Sequence, residues 1–363
     1  MGNSRRRKRA FAQKTRVRLD VPEVSEVHEP LPRMKMLIAS GSADGWSLPR
    51  EELDVRHCGA SPSAIAEALT LDTEVLVTDA LPADLDRAGG VKWLHLMSAG
   101  YNQVIGHPLA LKNGVRVSNS AGLCAGHMAE FVVGQMLRDV KRFDDYGPEQ
   151  ADRRWPNRAA MATPALRGRH GLIVGYGGVG RETARILRAL GVTVDAVQRQ
   201  IDREVYRGYL RDAAMGDPDG SIPKEIFTLA QMEAAVARAD FVILTVPLTK
   251  ETKLLINEST LKAMKPGAVL INVARGGLIE FNALSAALTS RRLKHAYLDV
   301  FDREPLPSDS PMWGHLHLTI TPHMSGVMPD AVHLQQDLLR HNLQRYLGGG
   351  RLLNEITPAN LSA

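Results

Sequence analysis

The chain has 363 residues, 44% of them hydrophobic and 23% charged, with a formal net charge of +5. That length exceeds one ordinary core and that composition is globular, while the lack of any apolar run near roughly 20 residues excludes a membrane-spanning helix. Two cysteines, Cys58 and Cys124, make no disulfide framework, which excludes the cystine-stapled class and points to a reducing compartment.

Residues 1–18 hold eight of the 45 Lys and Arg and no acid, leaving 37 bases against 40 acids in the rest. The positive charge therefore belongs to a tail, and the body is mildly acidic. The tail, MGNSRRRKRAFAQKTRVR, reads as a solvated extension, a nuclear-import patch, a nucleic-acid contact or a targeting segment, and the sequence leaves these open. With the linker VPEVSEVHEPLPR it makes residues 1–33 an extension outside the fold.

From Met34 short apolar runs alternate with helix-compatible segments. MKMLIA, EVLVTD, WLHLMS and VRVSNS form one strand series; GLIVGYG, VTVDAV, FVILTVP, AVLINVA, HAYLDVF and LTITPH form a second. Apolar runs this short indicate parallel strands covered on both faces, so the fold class is α/β with two doubly wound parallel-sheet domains. Between the series, GHMAEFVVGQMLRDVKRFDDYG predicts one long helix leaving the first domain. RGYLRDAAMGDPDGSIPKEIF is turn-rich and predicts an exposed insertion. The last helix, within MPDAVHLQQDLLRHNLQRYLGGG, can return to the first domain. The predicted division is residues 34–140 plus 328–363 as a substrate domain and 141–327 as a dinucleotide-binding domain.

HGLIVGYGGVGRETARILRALG sets Gly175, Gly177 and Gly180 in G-x-G-x-x-G order between strand and helix. The first glycine allows the tight turn, the second lets a pyrophosphate approach, and the third lets helix and strand pack, with Gly178 and Val179 offering amides at the helix N-terminus. Asp195 lies 20 residues after Gly175, the usual count for a ribose-binding acid, but it falls mid-strand. Gln198 and Arg199 stand at the strand tip, where a guanidinium suits a 2′-phosphate, so NADP(H) is expected over NAD(H), with Arg203 assisting.

Together, GYGGVG, LINVARGGLIE, YLDVFDREPLP and LTITPHMSG resemble, in order and spacing, the signature set of the D-isomer-specific 2-hydroxyacid dehydrogenases. The resemblance runs from about Met34 to the last helix. It implies a flavodoxin-like substrate domain beside a Rossmann domain. It further implies that Arg275 binds the substrate carboxylate, that His323 is the general acid or base, and that Glu304 holds the imidazole and stabilises its charged form. Asp299 would contact the nicotinamide amide, with Val246, Pro247, Val273, Ala274, Ser325 and Gly326 also at the cofactor. In HLMSAGYNQV, amides around Ser98, Ala99 and Gly100 would meet the carboxylate opposite Arg275. The residue types suit the chemistry: hydride arriving at a carbonyl carbon requires a proton donor near neutral pH, and a planar carboxylate pairs with a guanidinium. No cluster has metal-ligand spacing.

The expected function is hydride transfer between NAD(P)H and a small 2-keto acid of glyoxylate or hydroxypyruvate type, by a cytoplasmic homodimer with neither membrane nor nucleic-acid partner. Because of the basic tail, nuclear or organellar delivery stays open. The alternative is a dinucleotide-sensing protein like the C-terminal-binding-protein corepressors, which share the fold and the Arg, Glu and His set.

Overall fold

The computed structural model describes residues 33–40, 46, 48, 53–201, 203 and 205–362; the basic tail lies outside them. The fold from Met34 onward forms one compact unit built on two sheets. The first contains β1 (Met34–Ala39), β2 (Leu53–His57), β3 (Thr73–Thr78), β4 (Trp93–Leu96) and β5 (Arg116–Asn119). The second contains β6 (His170–Val174), β7 (Thr193–Val197), β8 (Ile226–Phe227), β9 (Phe241–Leu244), β10 (Ala268–Asn272), β11 (Leu293–Leu298) and β12 (Leu318–Ile320). The chain then returns to the first sheet as β13 (Glu355–Ile356), its one antiparallel strand.

The strand orders, β13-β5-β4-β3-β1-β2 and β12-β11-β10-β9-β6-β7-β8, are the flavodoxin-like and Rossmann windings. Each reverses direction at one point, β1/β3 in the first sheet and β6/β9 in the second, and ligands of such sheets bind outside the carboxyl ends there. Every predicted run is a strand. The three strands without an apolar run, β2, β8 and β13, are all sheet edges, where fewer side chains meet a core.

Helix Ala331–Leu347 packs Leu339 and Leu343 onto Met36, Ile38, Val75 and Trp93 of the first sheet. Arg116 Nε donates to Glu355 Oε1 at 2.8 Å, fastening β13 to β5.

The single long helix expected between the series is instead two. Helix Ala125–Lys141 ends at Arg142, which adopts a left-handed conformation (φ 55°), and a second helix, Phe143–Ala151, follows. Arg138 and Arg142 turn back to Asp144 and Asp145, stabilising the break. The first helix buries Val132, Met136 and Val140 against Ile173, Val194 and Ile243, so it joins the core of the second sheet rather than the first.

The segment after β7 is turn-rich and largely exposed, as its composition suggested, but a few of its residues anchor it to the fold. Tyr209 is 2% exposed, packed with Leu123, Leu334 and Leu338, and its hydroxyl donates to Asp337 at 2.7 Å. Asp217 accepts from Tyr176 Oη and from the Ser221 and Ile222 amides, which closes its turn from within.

Candidate active site

The Gly-rich turn fits a dinucleotide by a test on its three glycines. Gly175 has φ +101°, and a Cβ there would lie 2.5 Å from Val246 N and 2.6 Å from its Cα. A Cβ on Gly180 would strike Gly175 O and come within 2.9 Å of Ile173 Cγ2. On Gly177 it would meet nothing within 4 Å. The outer glycines are thus fixed by packing, and the middle one keeps a space open beside the amides of helix Gly178–Ala189.

That space belongs to a cavity of about 1620 Å³ lined from both sheets. Of the expected cofactor residues, Gly175, Gly177, Gln198, Arg199, Val246 and Pro247 line it. Val273, Ala274 and Ser325 are buried, and Gly326 lies against Cys124 and Met128, where an added Cβ would be 3.7 Å from Cys124 Cβ. None of these four lines the cavity, and neither do Arg275, Glu304 and His323. Beside it, Asn102 Nδ2 donates across the cleft to Leu248 O at 3.2 Å.

Asp195 is fully buried mid-strand and faces away from any ribose: it accepts from the Glu225 amide, and His170 Nε2 lies 2.8 Å from its Oδ2. Arg199 is exposed at the tip of β7, its guanidinium 3.2 Å from Asn360 Oδ1 on the first sheet's side. Arg203, expected to assist, instead donates to the Gly220 and Pro223 carbonyls of its own segment. Sequence reading missed Lys250, Lys253 and Arg351, which line the same cavity from distant parts of the chain. It also missed Glu251, whose carboxyl is held below its usual range first by the Thr249 hydroxyl, with Arg199 and Lys250 adding to the effect.

His323 follows the end of β12 in a left-handed conformation (φ 54°) that histidine visits more readily than bulky residues do. Its amide donates to Asp299 O at 2.9 Å. Asp299, 1% exposed, accepts from Thr321 Oγ1 at 2.6 Å and from the Met324 and Ser325 amides at 2.9 Å each. Those three bonds anchor the turn carrying the histidine. The imidazole Nδ1 donates to Glu304 Oε2 at 2.7 Å, while Glu304 Oε1 accepts from the Phe301 amide at 2.9 Å. The carboxylate is therefore fixed at both oxygens, and Nε2 is the nitrogen left to face a substrate.

Arg275 is drawn to this group by its neighbour. A Cβ on Gly276 would overlap the backbone of Phe301 and Asp302, so only glycine lets the Arg275 loop meet the loop leading to Glu304. On its other side Arg275 Nη2 occupies the space a Cβ on Gly100 would need, so the guanidinium bridges the two sheets. One expectation about the facing loop is corrected: the Ser98 amide donates to Asp79 Oδ1 at 2.6 Å, so it is already taken. The amides of Ala99 and Gly100 remain for a carboxylate. No motif flagged Asp79, which follows β3 at the reversal point of the first sheet.

Residues 133–325 match the D-isomer specific 2-hydroxyacid dehydrogenase NAD binding domain, more than half of the chain. The chain belongs to this family. A glyoxylate reductase of Thermofilum pendens is 32% identical over 78% of this chain and 79% of its own. An (S)-sulfolactate dehydrogenase of Chromohalobacter salexigens is 36% identical over 53% of this chain and 58% of its own. Among solved structures, a family protein of Aeromonas salmonicida superposes with a TM-score of 0.70 at 28% identity, covering 90% of this chain and all of that one. The protein is thus an NAD(P)-dependent 2-hydroxyacid dehydrogenase acting on small keto or hydroxy acids. No helix among its described residues is long and apolar enough to cross a membrane.

Proposed function

We propose that this dehydrogenase reduces glyoxylate- and hydroxypyruvate-type keto acids to D-2-hydroxy acids with NADPH preferred over NADH, using the first sheet's domain for substrate and the second sheet's domain, which takes in helix Ala125–Lys141, for the dinucleotide. The observation that carries the reading is the His323–Glu304 pair, anchored on loops that Gly276 fastens to Arg275. Arg275 and the Ala99 and Gly100 amides hold the substrate carboxylate and turn its carbonyl oxygen toward His323. The reduced nicotinamide, when bound, supplies the hydride. Glu304 stabilises the protonated ring until His323 Nε2 gives its proton to the carbonyl oxygen as charge develops there. In the oxidation direction the same nitrogen takes the proton back.

The coenzyme preference rests on Arg199 at the tip of β7, with Lys250, Lys253 and Arg351 among the residues lining the same cavity, a cationic excess that suits a 2′-phosphate. A neighbouring reductase structure from Sinorhizobium meliloti holds NADP. A homodimer is supported by helix Phe143–Ala151, which buries none of its residues, and by Trp155, 92% exposed beside it. Free Cys58 and Cys124 suit a cytoplasmic setting.

The test is steady-state turnover on glyoxylate, hydroxypyruvate and pyruvate with NADPH and NADH in parallel, alongside His323→Gln. Turnover that disappears in the variant while dinucleotide binding persists supports the reading. Retained activity in the variant removes His323 from the mechanism, and peptide binding without turnover would favour a sensor instead. Light scattering reads the dimer directly.

A further inference from the structure

The segment between β7 and β8 carries Tyr206 into the cofactor cavity, and three glycines make room for its phenol. A Cβ on Gly178 would lie 2.8 Å from Tyr206 Oη, one on Gly122 would lie 3.1 Å from it, and one on Gly208 would overlap it. These glycines come from the helix N-terminus, from the first sheet's last loop and from the segment itself. The ring is held from below by Arg181, whose guanidinium carbon is 5.3 Å from its centroid and 4.9 Å from that of Tyr176. Behind it, the Tyr206 amide donates to Pro218 O at 2.8 Å, and Tyr209 ties the segment to Asn354 and Asp337 of the first sheet's side. The phenol is therefore a fitted part of the wall, seated at the helix end beside the open face of Gly177, with both residues lining the cavity.

We propose that Tyr206 is a ligand for the dinucleotide's diphosphate, accepting from the Gly178 amide and donating its own hydrogen to a phosphoryl oxygen. A hydroxyl can do both at once, so it extends the amide donor outward by one link. Burial pushes the phenol up to about 12, with Arg181 and the Gly178 amide opposing that rise, so it keeps its hydrogen at physiological pH. The rigid notch argues against the opposite role, a plug that dinucleotide must displace, because leaving would empty a space shaped by three glycines. The inference rests on the dinucleotide reading of the Gly-rich turn.

The test uses the full chain and its Tyr206→Phe variant, which keeps the ring in the notch and removes only the oxygen. The affinity for NADPH, by fluorescence titration, should weaken about 10-fold, as expected when a hydrogen bond to a charged group is lost. Adenosine 2′-monophosphate, which has no diphosphate, should bind both proteins within about 2-fold. The melting temperature without dinucleotide should fall only slightly, by the one bond from the Gly178 amide that the variant loses. NADPH affinity that is unaltered or tighter in the variant overturns the proposal, and tighter binding identifies a plug. Equal weakening of both ligands also overturns it, because the phenol would then only shape the cavity. Failure of the wild-type chain to bind NADPH or NADH would overturn the underlying reading itself.

Discussion

Gly177 and Gly180 stand three residues apart in one motif, yet the structure gives them opposite sensitivities. In Gly180→Ala the new methyl meets Gly175 O and sits 2.9 Å from Ile173 Cγ2 and 3.2 Å from Thr245 Oγ1. Gly175 O cannot retreat freely, since Thr245 Oγ1 donates to it at 2.7 Å. Overpacking of this kind costs about 1–3 kcal/mol, and with backbone as the obstacle the upper end applies. At about 2–4 °C per kcal/mol for a domain of this size, the melting temperature should fall by roughly 6–12 °C. Gly177 has φ −86° and ψ −160°, a conformation any residue adopts, and its methyl would enter open space. Gly177→Ala should therefore melt within about 0.5 kcal/mol of wild type. Its cost falls on the cofactor: the methyl occupies the approach of the diphosphate, and 1–3 kcal/mol of crowding weakens NADPH binding about 5- to 150-fold. Thermal melts without dinucleotide and fluorescence titration of NADPH separate the two effects. A Gly177→Ala protein that melts as low as Gly180→Ala, or binds NADPH like wild type, would refute this account of the turn.

Three further outcomes follow from the geometry. Glu304→Gln keeps the shape beside His323 Nδ1 but removes the charge that stabilises its protonated ring; kcat/KM for keto-acid reduction should drop about 100-fold, and a loss under 3-fold would deny Glu304 that part. Arg199→Ala should weaken NADPH about 10-fold and leave NADH nearly unchanged, measured as the ratio of the two kcat/KM values; an unchanged ratio rejects the 2′-phosphate assignment. Burial lowers the buried His95, bonded to Ser118 and Ser120, to about 3, so in the folded state it stays neutral while the unfolded chain titrates at its ordinary value near 6.5. The unfolded state then binds the extra proton, so stability is full above about 6.5 and falls by about 1.4 kcal/mol per pH unit down to about 3. His295, lowered to about 4 chiefly by burial, adds to the same acid limb. Denaturant unfolding between pH 7 and 4 should show a shallower slope in a His95→Gln variant that folds; an equal slope would contradict the linkage.

The windings of both sheets were legible because their central strands are continuous apolar runs, and the Gly-rich turn because its spacing is local. The pairing of His323 with Glu304 was legible only through resemblance, since no periodicity links two loops 19 residues apart. The rest depended on contacts across the sheets. Asp79 takes the Ser98 amide because β3 and β4 are neighbours, and nothing near either residue in the chain announces it. Turn-forming composition hid the anchor of the segment after β7, because Tyr209 finds Asp337 and Asn354 across the fold rather than along the sequence. The break at Arg142 was hidden too, since a left-handed arginine leaves the apolar spacing on either side intact.

The polypeptide passes between the two sheets twice, once entering helix Ala125–Lys141 and once leaving the His323 turn for helix Ala331–Leu347. Gly326 lies against Cys124 and Met128, so both passages run side by side. Two pins set on one line permit swinging but resist sliding and twisting. Widening of the cleft must pivot there, and His323, three residues from that line, would travel least of the catalytic group. The proton donor thus sits near the axle, while Arg199 and Asn360 touch from opposite leaves.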